Sequence, residues 1–482
     1  MSAVGPAVIH ETHSGIVVLV AEHAYKIKKA VDLGFLDFRT EAARSLACHR
    51  EVELNRRLAP DVYEDLATVT GSEGQVLEHV VVMRRMPDDL RLSTLIAEGA
   101  DVSGHLQALA RLMSDFHVKA ARSPDISREG TATGLRRRWV NNLDETERFR
   151  GVVLDPHLHD RIRVLALRYV DGRAPLLAER AKNGLVVDGH GDLIAQDIFC
   201  LPDYPRVLDC LEFDDLLRRV DVLDDVCFLA MDLEWLGRRD LARQFLAWYA
   251  QFSATPTVPT LTDHYIAYRA FVRAKVACIR AAQGDAGAVT EADDLARLAL
   301  AHLQSGEVRL VLVGGAPGTG KTTLAAALAD RLGFATLSSD RVRQDLAFTP
   351  AQRYTTHSKQ ATYRELFARA RLLLERGESV LVDATFTDLE SRRLATNVAI
   401  GTDSRLVCLE CQAPPDLAAD RAQRRHEVGG DASEADAATA RALASGREPW
   451  PEAVTIDTAR DVGAEIYRAE QAIAGDEPAP RR

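Results

Sequence analysis

The chain has 482 residues, 46% of them hydrophobic and 27% charged, and a formal net charge of −11 at pH 7. The length exceeds one ordinary core and calls for two or three domains, with the composition of a soluble globular protein. The negative balance disfavours nonspecific nucleic-acid binding. No apolar run is long enough for a bilayer span, and no basic start followed by an apolar stretch marks a secretory signal, so a cytoplasmic protein is expected. Seven cysteines are scattered along the chain. An odd count argues against a disulfide framework.

Ile16 to Ala21 and Ala24 to Lys28 read as a hairpin joined at Glu22-His23. Period-two alternation places Lys26 and Lys28 on one face of the second strand. Glu41 to Leu58 reads as a helix with Glu51 in its middle. A strand lysine followed by a helix glutamate is the pair that protein kinases use to hold the α- and β-phosphates. No G-x-G-x-x-G precedes it, and Ser14-Gly15 is the local candidate for a phosphate-covering turn. Val80 to Met86 reads as a strand ending before Pro87, and Leu106 to Ala121 as a helix. Arg136 to Arg138, beside Trp139, reads as a solvated helix face ahead of a phosphate or substrate contact.

Gly184 to Leu201 runs G-L-V-V-D-G-H-G-D-L-I-A-Q-D-I-F-C-L, and Arg206 to Asp215 runs R-V-L-D-C-L-E-F-D-D. Strand ends and loops here gather three carboxylates suited to phosphoryl transfer. Asp192 would orient and deprotonate a hydroxyl, and Asp197 and Asp209 would hold Mg²⁺. The segment resembles the aminoglycoside phosphotransferase and choline kinase branch of the protein-kinase-like fold, over about residues 16–303. Asp221 to Asp232 (D-V-L-D-D-V-C-F-L-A-M-D) also resembles the acidic helix start of that family. The resemblance implies an α+β bilobal fold and ATP-dependent phosphorylation of a small-molecule hydroxyl, with Lys26 or Lys28, Glu51, His190, Asp192 and Asp209 on its motif positions. Register alone does not choose between the lysines. The family's Asn is Asp197 here. Aspartate is a competent Mg²⁺ ligand, and the same change fits a silent, regulatory kinase-like domain. Asp214, Asp215, Asp232 and Glu234 would serve either as receivers of an amino sugar or as ordinary surface charge.

Gln283 to Val289 is a small-residue break, Thr290 to Gln304 reads as a helix, and Ser305-Gly306 ends it. The expected domains are therefore residues 1–304 and 305–474, with a disordered tail over 475–482. Val308 to Val313 reads as a buried strand. Gly315 to Thr322 (G-A-P-G-T-G-K-T) then fits G-x-x-x-x-G-K-[ST], and Thr323 to Leu332 reads as the following helix. Backbone amides of Gly315, Ala316, Pro317, Gly318, Thr319, Gly320, Lys321, Thr322 and Thr323 frame the expected phosphate cradle, proline supplying only its fixed turn. Lys321 reaches the β- and γ-phosphates, and the Thr322 hydroxyl ligates Mg²⁺. Strands expected at Ala335 to Asp340, Ser379 to Thr385, Arg405 to Cys411 and Ala453 to Asp457 alternate with helices, which implies an α/β doubly wound parallel sheet. Cys408 and Cys411 form C-x-x-C inside such a strand and read as core cysteines.

S-S-D-R-V-R, V-D-A-T-F and R-A-Q-R-R together resemble the P-loop kinases that include zeta toxins, gluconate kinases and the kinase domain of polynucleotide kinases. The match implies Asp340 as base and Arg343 as acceptor contact. It implies that Asp383 orients water on Mg²⁺ or helps hold the acceptor, and that Arg421, Arg424 and Arg425 close on the nucleotide as a lid. Asp431 to Asp436 is a turn that recurs in such kinases, whereas no sensor arginine of a motor ATPase is identified. The whole arrangement resembles bacterial fusions of an aminoglycoside phosphotransferase with an ATP-binding protein. The expectation is a phosphotransferase that uses ATP and Mg²⁺ on a small-molecule hydroxyl acceptor. The alternatives are one silent nucleotide-sensing domain, or a nucleic-acid end kinase, which the net charge disfavours.

Overall fold

The computed structural model describes residues 7–11, 15–32, 37–349, 352, 355–428 and 447–475. Ser14, the Asp431 to Asp436 turn, the tail beyond Gly475 and the side chain of Arg425 lie outside the described residues. The chain divides into two compact units, residues 1–162, 178–257 and 262–302 in one, and 163–177, 258–261 and 303–482 in the other. Among the described residues no helix is long and apolar enough to cross a membrane.

The first unit opens with an antiparallel sheet of β1 (Val8–Glu11), β2 (Gly15–Val20), β3 (His23–Lys28), β4 (Tyr63–Thr70) and β5 (Val76–Arg84), in the order β1-β2-β3-β5-β4. The hairpin turn falls at Ala21-Glu22, one residue earlier than the sequence suggests. Ala21 takes a left-handed φ of 51°, which frees His23 to pair with Val20. The helix Glu41–Asn55 begins where Thr40 accepts a hydrogen bond from the Ala43 amide. It is shorter than the expected run to Leu58. Its Cys48 and Val52 pack with Val62, Tyr63, Val81, Phe199 and Leu208 into one core.

Helices make up most of the remainder. The helix Arg239–Ser253 packs on Ser103–Lys119 and on Val222–Trp235, whose apolar run is buried on nearly every side. Two short antiparallel pairs carry the loops of interest: β6 (Val186–Asp188) with β9 (Arg219–Asp221), and β7 (Ile198–Cys200) with β8 (Pro205–Val207). The second strand of the acidic stretch thus ends at Val207, and Asp209 lies beyond it with a φ of 61°.

The second unit is built on five parallel strands: β10 (Arg309–Gly314), β11 (Ala335–Ser338), β12 (Val380–Asp383), β13 (Arg405–Gln412) and β14 (Val454–Asp457). Their order is β11-β12-β10-β13-β14. Every residue of β10 and β12 is buried, as a parallel sheet covered on both faces requires. Leu324 and Leu328 of the helix Lys321–Leu332 and Ile466 and Ile473 of the helix Val462–Ala474 pack on one face with Val311, Leu381 and Leu409. The run Ala335 to Asp340 is a strand only to Ser338. The Ser338 hydroxyl accepts from the Asp340 amide and starts the helix Ser339–Asp345, so Asp340 sits in a helical first turn at the sheet's edge. All seven cysteines are free. Burial pushes the thiols of Cys408 and Cys411 up to about 12, as core positions on β13 would. The observed architecture is a mixed α+β unit followed by an α/β P-loop unit.

Candidate active sites

In the first unit, alternation along β3 turns Lys26 and Lys28 to the same face, toward the helix Glu41–Asn55. Glu51 receives both: Lys26 Nζ lies 2.8 Å from its Oε1 and Lys28 Nζ 2.6 Å from its Oε2. The lysines differ in their second partners. Lys26 Nζ donates to Asp209 Oδ1 at 2.5 Å, whereas Lys28 pairs with Glu212 and lies over the Phe38 ring. Lys28 is 1% exposed and Lys26 12%. Burial alone would lower the Lys26 ammonium, but Asp209 and Glu51 hold it well above the usual lysine range. Glu212 is a partner not expected from the sequence. Its signal was its place three residues after Asp209.

The loop after β6 is fixed from the helix Val222–Trp235. Asp225 accepts the His190 amide at 2.7 Å and the Gly191 amide at 2.8 Å, and also meets His117 Nε2 at 3.0 Å. Gly191 has a φ of 86°, so glycine is required there. Burial lowers the His190 imidazole to about 4. The neutral ring donates from Nε2 to the Leu208 carbonyl and accepts the Asp192 amide at Nδ1. Asn55 bridges the glutamate helix to the acidic loop, donating to Glu51 O and accepting from the Cys210 amide.

Asp192 and Asp197 are half-buried in this region. Burial raises the Asp192 carboxyl to about 6, with Arg273 opposing and Asp209 reinforcing the shift. Asp197 is driven well above the carboxylate range by burial and by Asp209 and Asp192. Such mutual repulsion among hard oxygen donors is what a bound divalent cation relieves, so Asp197 and Asp209 fit Mg²⁺ chemically. Among the described residues, however, no group of three His, Cys, Asp or Glu side chains is already gathered for a metal.

The acidic candidates for an amino sugar are committed elsewhere. Asp214 caps the Leu216 amide, Asp215 pairs with Arg50 and Arg218, Asp232 accepts the Ala195 amide, and Glu234 pairs with His302. The arginine run also differs from expectation. Arg136 and Arg137 are exposed, but Arg138 is buried, with Nη1 3.6 Å from Asp224 Oδ2.

In the second unit, β10 delivers Gly315 to Thr322 onto the N-terminus of the helix Lys321–Leu332. Gly318, with a φ of 82°, leaves no room for a side chain: a Cβ would stand 1.9 Å from the Ala418 carbonyl oxygen. Thr322 donates to Asp383 Oδ2 at 2.7 Å. This hydroxyl–carboxylate pair beside a phosphate loop is a donor set that fits Mg²⁺. Lys321, Thr322, Asp340 and Asp383 line one cavity of about 930 Å³. Arg343 donates to Asp340 Oδ1 at 2.6 Å, so the expected base and acceptor contact are paired with each other. Arg421 and Arg424 line a second cavity of about 270 Å³ with Gly318, Gly320, Lys321 and Thr323. Arg421 also donates to the Thr458 carbonyl, and Thr458 in turn donates to the Thr319 carbonyl. Ala316 and Thr319 close the loop through the Thr319 hydroxyl, which donates to the Ala316 carbonyl.

Fold and sites together define a mixed α/β unit followed by an α/β unit that carries a phosphate loop on a parallel sheet. The AAA domain family matches residues 310–450. Over 461 residues the chain is 43% identical to the uncharacterized proteins Rv2004c of Mycobacterium tuberculosis and Mb2027c of Mycobacterium bovis, covering 94% of this chain and 92% of each relative. The chain belongs to their family. Among solved structures, the GDP and kanamycin complex of APH(2")-IIia is 15% identical, with a TM-score of 0.40, covering 62% of this chain and 94% of that one. A gluconokinase from Sinorhizobium meliloti is 16% identical, with a TM-score of 0.27, covering 35% and 97%.

Proposed function

We propose that the protein is an ATP-dependent phosphotransferase that moves the γ-phosphoryl group to a hydroxyl of a small molecule, with two nucleotide sites of unrelated design in domains 1–304 and 305–474. The observation that carries the reading is Lys26, clamped between Glu51 and Asp209 beside the loop that presents Asp192. Lys26, rather than the more deeply buried Lys28, would meet the α- and β-phosphates, and Lys28 would brace Glu51. Asp192 would accept the acceptor's proton. Asp197 and Asp209 in the first unit, and Thr322 and Asp383 in the second, would hold Mg²⁺, which when bound neutralises charge on the phosphates. In the second unit Lys321 and the loop amides would cradle phosphate, Asp340 would act as base once Arg343 turns to the acceptor, and Arg421 and Arg424 would offset charge on the transferring group. The likenesses to an aminoglycoside phosphotransferase and to a gluconokinase motivate the choice of hydroxyl acceptors.

Phosphoryl transfer from γ-labelled ATP to a panel of sugars, amino sugars, aminoglycosides and nucleosides tests this reading, using the intact chain, Asp192→Ala and Lys321→Ala. Loss of labelling in Asp192→Ala alone assigns the transfer to the first unit, and loss in Lys321→Ala alone assigns it to the second. An intact chain that binds Mg·ATP and labels none of these compounds would count against the reading.

A second reading is favoured by Asp197, whose carboxyl burial and the neighbouring Asp209 and Asp192 hold well above the usual carboxylate range. The first unit would then sense nucleotide and regulate the second without transferring phosphate. Mg²⁺-independent ATP binding by the Lys321→Ala chain would support it.

A further inference from the structure

A cavity of about 210 Å³ opens beside Asp192, between the 132–146 helix and the Pro259–Ala282 helix. Its charged lining is mainly cationic: Arg138, Arg269, Arg273 and Lys275, with Asp192 the acid among the lining residues and Asn142 and Tyr268 as neutral polar groups. Leu211, Phe213 and Phe228 supply an apolar wall.

The local acids meet this charge only in part, and Asp224 Oδ2 beside Arg138 has no hydrogen-bond partner of its own. Asp224 accepts Arg269 Nε at 2.7 Å and lies 3.6 Å from Arg138 Nη1, and Lys275 is matched by Glu145 at 2.9 Å. Arg269 Nη1 donates to the Gly191 carbonyl at 3.0 Å, which ties this cluster to the Asp192 loop. Arg138 Nε, Arg138 Nη2 and Arg269 Nη2 have no hydrogen-bond acceptor, although the two side chains are only 6% and 4% exposed. Guanidinium donors left unpaired at such burial are costly, and an anion in the adjoining cavity would satisfy them. Planar guanidinium forks suit a carboxylate or a phosphate. An ammonium group there would face Arg138, Arg269, Arg273 and Lys275, with Asp192 as the one opposite charge among the lining residues.

We propose that this cavity is the acceptor pocket of the first unit and that it selects hydroxyl compounds carrying a carboxylate or phosphate on an apolar body, not amino sugars. The proposal rests on the phosphotransferase reading above. The acceptor's anionic group sits against Arg138, Arg269 and Arg273, and its hydroxyl faces Asp192. Transfer forms the new O–P bond and breaks the bond between the β–γ bridging oxygen and the γ-phosphorus. ADP leaves, and the hydroxyl proton passes to Asp192.

Titration calorimetry tests the proposal on the full chain carrying Lys321→Ala, saturated with Mg²⁺ and a non-hydrolysable ATP analogue. The probes are phenylacetate, phenyl phosphate, benzylamine and benzyl alcohol. Either or both anions should bind at least tenfold tighter than the amine and the alcohol, and the tighter anion identifies the preferred group. Arg273→Glu, a half-buried site, should weaken anion binding at least tenfold with the circular dichroism unchanged. Arg138→Gln should weaken it similarly if it folds. Tighter binding of benzylamine, no binding of any probe, or anion binding indifferent to Arg273→Glu would each overturn the proposal. Failure of the parent reading looks different: the Lys321→Ala chain would not bind the ATP analogue at all, whatever the cavity does with anions.

Discussion

Lys26 Nζ lies 2.8 Å from Glu51 Oε1, joining the third strand of the first sheet to the helix that packs on it. Glu51 is fully buried and also meets Lys28. Replacing it by glutamine leaves two buried ammonium groups short of a counter-charge. Glu51→Gln should destabilise the first unit by roughly 3 kcal/mol, measured by chemical denaturation. Lys26→Met should abolish nucleotide binding there while keeping most of the stability, and Lys28→Met should do the reverse. Equal effects of the two lysine variants on ATP affinity would remove the distinction between them.

The Asp192 carboxyl sits near pH 6 because burial disfavours its charge. A base works only when deprotonated. Transfer by the first unit should therefore be constant above about pH 7 and fall roughly tenfold per unit below about pH 6, and Asp192→Asn should lower kcat by roughly 10²–10⁴. A kcat/KM profile flat from pH 5 to 8 would remove Asp192 from that role.

His302 is buried between Asp263 (Nδ1 to Oδ1, 2.7 Å) and Glu234 (Nε2 to Oε2, 3.1 Å). Burial opposes its charge, but the two carboxylates outweigh it and raise the imidazolium from 6.5 to about 9. A pKa raised on folding stabilises the protein fully below the unfolded value. That stabilisation, on the order of 3 kcal/mol, should be present below pH 6.5 and disappear as pH rises through 9. His302→Gln should flatten this alkaline slope in urea titrations at a series of pH values.

The Thr322 hydroxyl meets Asp383 over 2.7 Å. Thr322→Ala and Asp383→Asn should each raise the Mg²⁺ concentration needed for ATP turnover by the second unit roughly tenfold or more. Lys321→Ala should remove turnover at every Mg²⁺ concentration. Equal Mg²⁺ dependence in Thr322→Ala and the parent chain would take Thr322 out of the metal site.

Elements with strong local grammar were readable in advance. The phosphate loop between an apolar strand and an Ala/Leu-rich helix is one, and the H-G-D-L stretch before two short strands is another. β4 was missed because most of its side chains are exposed and its pattern carries little apolar alternation. Ala21 was misplaced because a left-handed alanine has no compositional mark. Arg138 reads as part of a solvated run, since only the fold brings it to Asp224, which also holds Arg269, and both lie far away in sequence. Glu212 lies 184 residues from Lys28, so only the fold shows that the two pair.

Where a side chain on residue 318 would go, the Ala418 carbonyl already stands. The phosphate loop and the helix Pro415–Val428 therefore touch backbone to backbone, and they do so one turn before Arg421. Any side chain at position 318 would have to push this helix away from the loop, and with it Arg421 and Arg424, which line the cavity shared with Gly318, Gly320 and Lys321. The bare glycine is therefore what sets how near the two arginines stand to the phosphate loop.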